Sequence, residues 1–214
     1  MLDKLLQYIT SKYLKFDNGQ LFFGKDRVVL YFVPQLAHEF LSYKNLFGTD
    51  YCVNSFLLGR ETGVHFVETH AVPMKKMLTP VVALSCDILG TFGFGKFRTL
   101  KVEEKDRFMV VVGNSTIGTE IKKSFGGSLE PVDFSLGGVF AGALQYFSKM
   151  LVYAVEIRCC AQKDVSECVW VCGSEEKIES YVKEFSPELL TTTTSMLEKI
   201  KKGEAVYGKN NPSK

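Results

Sequence analysis

Short strand-like runs in this chain come in adjacent pairs, and helix-like runs separate the pairs. Leu21–Phe23 and Val28–Val33 flank the turn Gly24-Lys25-Asp26. The alternating run Phe92–Val102 and the run Arg107–Val112 flank the polar turn Glu103–Asp106. Val152–Cys160 and Cys168–Cys172 are joined by the loop Ala161–Glu167. Strands joined this closely pair antiparallel, because a parallel pair needs a crossover of about a dozen residues or more. The fold class that follows is α+β, a twisted antiparallel β-sheet packed against helices.

The intervening segments carry helical periodicity. Leu2, Leu5, Leu6, Ile9, Tyr13 and Leu14 repeat at helical spacing and predict an opening helix. Pro34 suits the first turn of a helix running to about Phe47, which Gly48 ends. A helix over about Asp50–Val67 carries Val53, Phe56 and Leu57 on one face, with Gly59 and Gly63 four residues apart. Pro73 opens a third helix through Leu78, Val82, Leu84 and Ile88, where Pro80 is placed to kink it. Asn114–Gly127 is polar and glycine-bearing and reads as a loop or an irregular helix. Phe134–Leu151 is the strongest helical pattern. Ser174 caps a helix to about Phe185, and Ser186-Pro187 starts a last one that fades near Lys201-Lys202-Gly203. The organisation is an N-terminal helix over 1–16, a main domain over 17–175, and C-terminal helices with a polar tail over 176–214. There is no linker-like segment and no internal repeat.

Composition narrows the functions. The 214 residues hold 26 Lys and Arg against 24 Asp and Glu, a net charge of +2 that excludes nucleic-acid binding by bulk charge. No apolar run reaches the ~18 residues of a membrane span, and the start lacks a signal-peptide core. A cytoplasmic protein is expected. Phe92-Gly-Phe-Gly-Lys96 lies in a strand with no helix after it, so it makes a poor phosphate cradle. His38, His65 and His70 are scattered and form no Ser–His–Asp or Cys–His arrangement, so no catalytic residue is assigned. Of six cysteines, Cys159, Cys160 and Cys168 fall within ten residues, close to Glu156. In a reducing compartment such a cluster reads as a metal site or as packing. Adjacent Cys159 and Cys160 cannot both be core residues of one strand, since neighbouring side chains face opposite ways.

Several of these pieces together resemble the 4-vinyl reductase (hydrocarbon-binding) domain family. Gly48-Thr-Asp-Tyr-Cys-Val-Asn-Ser-Phe-Leu-Leu-Gly59-Arg-Glu-Thr-Gly63 is similar to its early helix, and Gly138-Val-Phe-Ala-Gly142 to its glycine-bearing late helix. Glu156-Ile-Arg-Cys159 followed by Cys168-Val-Trp-Val is similar to its closing hairpin. The resemblance covers about Asn18 to Trp170. It implies the fold shared by TRAPP vesicle-tethering subunits and the sensor domains of aromatic-responsive activators, with a sheet and helices enclosing an apolar pocket. The main domain then binds or senses a small hydrophobic molecule. The alternatives are a TRAPP-like assembly adaptor and, more remotely, a reductase acting on a vinyl group.

The resemblance also implies site residues. In the aromatic sensors a zinc is held by a cysteine before the late helix and by a glutamate and two cysteines of the hairpin. By position these are Asp133, Glu156, Cys159 and Cys168. Two features depart from the pattern: Asp133 stands where the relatives have cysteine, and the hairpin loop is one residue longer. Cys160 to Cys168 restores the loop length but breaks the Glu-x2-Cys spacing, so either neighbour is a candidate. Asp133 is equally suited to capping the helix that starts at Phe134. Phe56, Phe134, Phe140, Leu144 and Phe147 would face the pocket, for an uncharged and largely apolar ligand. The sensors carry a tryptophan on the strand matching Phe108–Asn114, whereas Trp170 stands elsewhere. A homodimer is expected from the resemblance and from the small-residue strips Gly59/Gly63 and Gly138/Gly142. A sensor without a helix-turn-helix would act through a separate output protein.

Overall fold

A computed structural model describes residues 14–17, 20–23, 26–28, 32–70, 78–103 and 107–210. The paired runs form two antiparallel sheets. The first is a small meander of β1 (Leu14–Asp17), β2 (Gln20–Phe23) and β3 (Asp26–Val28), with β2 in the middle. Leu14, Lys15 and Phe16 are therefore strand residues, and residues 1–13 of the expected opening helix lie outside the described residues. Val33, expected to end a strand, instead begins α1 (Val33–Phe47), where Pro34 occupies the first turn. Proline has no N–H to give a sheet, but helix N-termini need none there.

The main sheet contains β4 (Gly95–Glu103), β5 (Phe108–Ser115), β6 (Tyr153–Arg158) and β7 (Cys168–Gly173). Its order is β4-β5-β7-β6, with every neighbouring pair antiparallel. The central strand β5 is buried from Phe108 through Gly113, and its Val-Val-Val run suits a strand covered on both faces. The edge strand β4 keeps the alternation read in the sequence, half-buried against exposed over most of its length.

The helices are α2 (Thr49–His70), α3 (Leu78–Thr91), α4 (Thr116–Phe125), α5 (Phe134–Ser148), α6 (Glu175–Phe185) and α7 (Leu190–Asn210). Pro80 sits in the first turn of α3, and residues 71–77, including Pro73, lie outside the described residues. The polar stretch after Asn114 is a regular helix. Ser115 caps α4 by accepting from the Gly118 N–H, and Gly126 closes it at φ 78°. Ile117 and Ile121, one turn apart, bury its inner face, which its many polar residues obscure in the sequence. α5 stops at Ser148 because Lys149 turns left-handed at φ 54°. Ser174 caps α6 as expected, and α7 runs past Gly203 to Asn210.

The glycine strips have a role inside one chain. A Cβ on Gly59 or Gly63 of α2 would lie 2.2 Å from the carbonyl oxygen of Ser135 or Val139 on α5. A Cβ on Gly138 or Gly142 of α5 would lie 2.2 or 2.1 Å from the carbonyl oxygen of Phe56 or Arg60 on α2. The two strips thus meet each other backbone to backbone, which removes them as the reason to expect a homodimer. Among the described residues no helix is long and apolar enough to cross a membrane.

Candidate metal centre

The closing hairpin and the entry to α5 converge at one end of the main sheet. Glu156 on β6 lies opposite Trp170 on β7, and a register shift follows between Glu156 and Arg158. Cys168 opens β7 and pairs with Gly113 of β5. Cys159 and Cys160 follow β6 directly, where the chain leaves the strand and turns. This hairpin brings Glu156, Cys159 and Cys168 together, all buried, with their ligand atoms within 4.8 Å of one another.

The carboxylate of Glu156 is half satisfied. Its Oε2 accepts from the backbone N–H groups of Val132 (3.0 Å) and Asp133 (2.8 Å). Its Oε1 is buried and has no hydrogen-bond partner. Burial first, then the charge of Asp133, pushes the carboxyl up to about 8, against the pull of the Asp133 N–H and the two thiols. A buried acceptor left unpaired costs about 1–3 kcal/mol. A cation beside it would remove that cost. Two thiolates and a carboxylate are a donor set that zinc accepts, and three protein ligands leave a fourth position of its tetrahedron for water. The residues present therefore fit a zinc ion.

Cys160 does not belong to the group. Its Sγ lies 3.3 Å from Cys168 Sγ but contacts the Ser115 carbonyl (3.5 Å) and the Thr119 hydroxyl (3.7 Å) on the α4 side. Cys168 Sγ is 3.8 Å from Cys159 Sγ and accepts from the Cys160 backbone N–H at 3.1 Å. Sharing hydrogen bonds, the three thiols split. Cys160 is lowered by the bonds it takes from Cys159 and Cys168. Cys159 is raised chiefly by its bond to Cys160, and Cys168 by its bonds to both neighbours. Gly118 makes room for them: a Cβ there would sit 2.7 Å from Cys160 Sγ and 3.4 Å from Cys159 Sγ.

Asp133 is adjacent but engaged elsewhere. Its Oδ2 accepts from the Ser115 hydroxyl at 2.5 Å, and its Oδ1 accepts from the Leu136 N–H at 3.3 Å as the N-cap of α5. Burial pushes this carboxyl up to about 6, although both hydrogen bonds oppose the shift. Only its backbone reaches Glu156.

Of the five residues expected around an apolar pocket, Phe56, Phe140 and Leu144 are fully buried, while Phe134 and Phe147 are half-buried. Two further aromatics join them. Phe140, Trp170 and Phe97 form an edge-to-face triangle with centroids 5.5–5.7 Å apart. The Trp170 indole N–H donates to the Asp133 carbonyl at 3.1 Å, and Gly137 lies beneath the ring, where a Cβ would be 3.3 Å from Cδ1. Trp170 sits opposite Val111, one strand across from the position expected in a phenol sensor. The sequence held the signal: alternation along β7 puts Cys168, Trp170 and Cys172 on one face, so the cysteine cluster marks the tryptophan's side. A separate cleft of about 490 Å³ lies beside α4, lined by Gly93, Gly95, Lys96, Asn114, Thr116 and Thr119 among others. None of the five expected apolar residues lines it.

No protein-family profile matches the sequence, and no curated protein matches it closely. Solved structures do. The crystal structure of the phenol-responsive sensory domain of the transcription activator PoxR, with phenol, aligns with a TM-score of 0.69. The two chains share an α+β fold. The alignment covers 89% of this chain and 97% of that one, at 16% identity. An identity this low speaks to the fold and leaves the ligand to be argued from the site.

Proposed function

We propose that this chain is a binding or sensory module for a small, uncharged, largely apolar molecule, with a structural zinc held by Glu156, Cys159 and Cys168. The reading rests above all on a fold shared with nearly the whole of a phenol-responsive sensory domain. The apolar side supports it: Phe56, Phe140, Leu144 and Trp170 belong to one buried cluster against which Phe97, Phe134 and Phe147 pack, and aromatic edges and faces suit a planar apolar ligand. The unpaired Glu156 Oε1 beside two thiols supports the metal. A bound zinc would tie the end of β6 to the start of β7 and contribute folding free energy, because the unfolded chain offers no preformed site.

Two measurements test the reading. Metal analysis of protein purified without chelator should find one zinc per chain, falling sharply in Cys168→Ser and Glu156→Gln. Metal-free wild type whose melting temperature is indifferent to added zinc would refute the metal. Phenol and toluene uptake, followed by calorimetry, should weaken in Phe140→Ala and Leu144→Trp. If both ligands bind neither wild type nor variants, and the substitutions alter stability alone, these side chains are core and the sensory reading fails.

A further inference from the structure

The cysteine cluster holds one more thiol than the metal group uses. Cys160 Sγ is 3.3 Å from Cys168 Sγ, nearer than the 3.8 Å that separates Cys159 from Cys168. The Cys160 N–H donates to the Cys168 sulfur at 3.1 Å and keeps that sulfur beside residue 160. Closing to a disulfide bond of about 2.05 Å requires a sulfur movement of roughly 1.2 Å. Rotation about χ1 of Cys160, in the turn that follows β6, is the movement required. Cys160 is buried, one residue removed from the nearest cleft. Its Sγ touches the Thr119 hydroxyl at 3.7 Å, and Thr119, with Thr116 and Glu120, lines the open cleft beside α4. Gly118 places no side chain between this turn and the sulfur.

We propose that Cys160 and Cys168 form an oxidation site, at which a peroxide entering through the α4 cleft converts the two thiols to a disulfide and takes Cys168 out of the metal-holding group. The chemistry balances. The Cys160 sulfur attacks one peroxide oxygen, the O–O bond breaks, and one water leaves with the thiol's proton. The resulting sulfenic acid is attacked by the Cys168 sulfur. The S–S bond forms, the S–O bond breaks and a second water leaves. Two thiols lose two electrons and two protons, and one peroxide becomes two waters. Disulfide formation itself does not need the metal. The consequence for zinc rests on the function proposed above.

The full chain is treated with one equivalent of hydrogen peroxide, both as purified and after chelation, then alkylated and weighed intact. Wild type should lose two hydrogens and two alkylatable thiols in the chelated sample. A proteolytic digest without reductant should link the peptide containing residues 159–160 to the one containing 168. Cys159→Ser should still form the link, and Cys160→Ser should abolish it. The proposal is overturned if Cys160→Ser retains the link, if wild type gains oxygens without linking, or if native thiols stay unoxidised while unfolded chain is oxidised. In zinc-loaded protein, a chromogenic chelator should register one ion released per disulfide, reversed by dithiothreitol. A disulfide in chelated protein without any zinc in the purified chain would sustain this site and refute the metal reading alone.

Discussion

Alanine at Gly63 tests the packing of α2 on α5 by the sign of its effect. In an unconstrained helix, Gly→Ala raises stability by about 0.8–1 kcal/mol, because glycine is the more costly residue to order. Here the new Cβ would lie 2.2 Å from the Val139 carbonyl oxygen, and the atom it meets is backbone that cannot rotate away. Ordinary contact requires more than 1 Å of extra separation, which α2 and α5 can provide only by moving apart along the crossing. Overpacking of this kind costs typically about 1–3 kcal/mol, and a gap of 0.5–1 Å forfeits a quarter to a half of each neighbouring contact. The backbone clash puts the cost toward the upper part of that range, so after the propensity gain is subtracted Gly63→Ala should destabilise by up to about 2 kcal/mol. Gly142→Ala, whose Cβ would meet the Arg60 carbonyl at 2.1 Å, should do the same. The double variant should fall short of the sum by at least ~0.5 kcal/mol, since helices already separated by one methyl make room for the other. Urea unfolding is readable by fluorescence, because Trp170 is the only tryptophan and is fully buried. Unchanged or increased stability in either single variant would refute the close crossing.

Ser115→Ala removes the cap of α4 and the donor to Asp133 together, and should cost about 1–2 kcal/mol by urea unfolding; a neutral result would show that neither bond matters. Asp133→Asn should keep its zinc content within error, because that carboxylate is turned to Ser115 and Leu136; loss of metal would return it to the ligand set. Cys52 and Cys86, pushed up to about 11 and 12 by burial, should resist iodoacetamide near pH 8 in the native protein, as measured by mass spectrometry. Rapid labelling there would mean that α2 or α3 opens locally.

Hairpin spacing made the main sheet legible, because strand pairs joined by short turns leave few topologies open. The order in which pairs join was not legible: β7 sits between β5 and β6, and no local pattern encodes that non-consecutive neighbour. α4 was obscured by its composition, since two isoleucines one turn apart suffice to bury a short helix between two caps. At the site, the family resemblance implied Asp133, Glu156, Cys159 and Cys168 and left Cys160 as an alternative to Cys159; the hairpin brings Glu156, Cys159 and Cys168 together. The orientation of Asp133 was hidden because its decisive partner, Ser115, comes from a strand end 18 residues earlier. The glycine strips were visible, but a small-residue stripe reads identically whether its partner is the same chain or another.

The two hydrogen bonds on Glu156 Oε2 make that side chain a yoke. They fasten the last two residues before α5, while the opposite oxygen is left to whatever sits among the thiols. α5 carries Phe134, Phe140, Leu144 and Phe147, and it is seated on α2 with no side-chain cushion at four crossings. A pull on one oxygen is therefore delivered, through a single rigid carboxylate, to the root of the helix that carries the apolar side chains. Were an ion and an apolar ligand both to bind as proposed, that lever would couple them. By reciprocity, the factor by which the ion tightens the ligand must equal the factor by which the ligand tightens the ion.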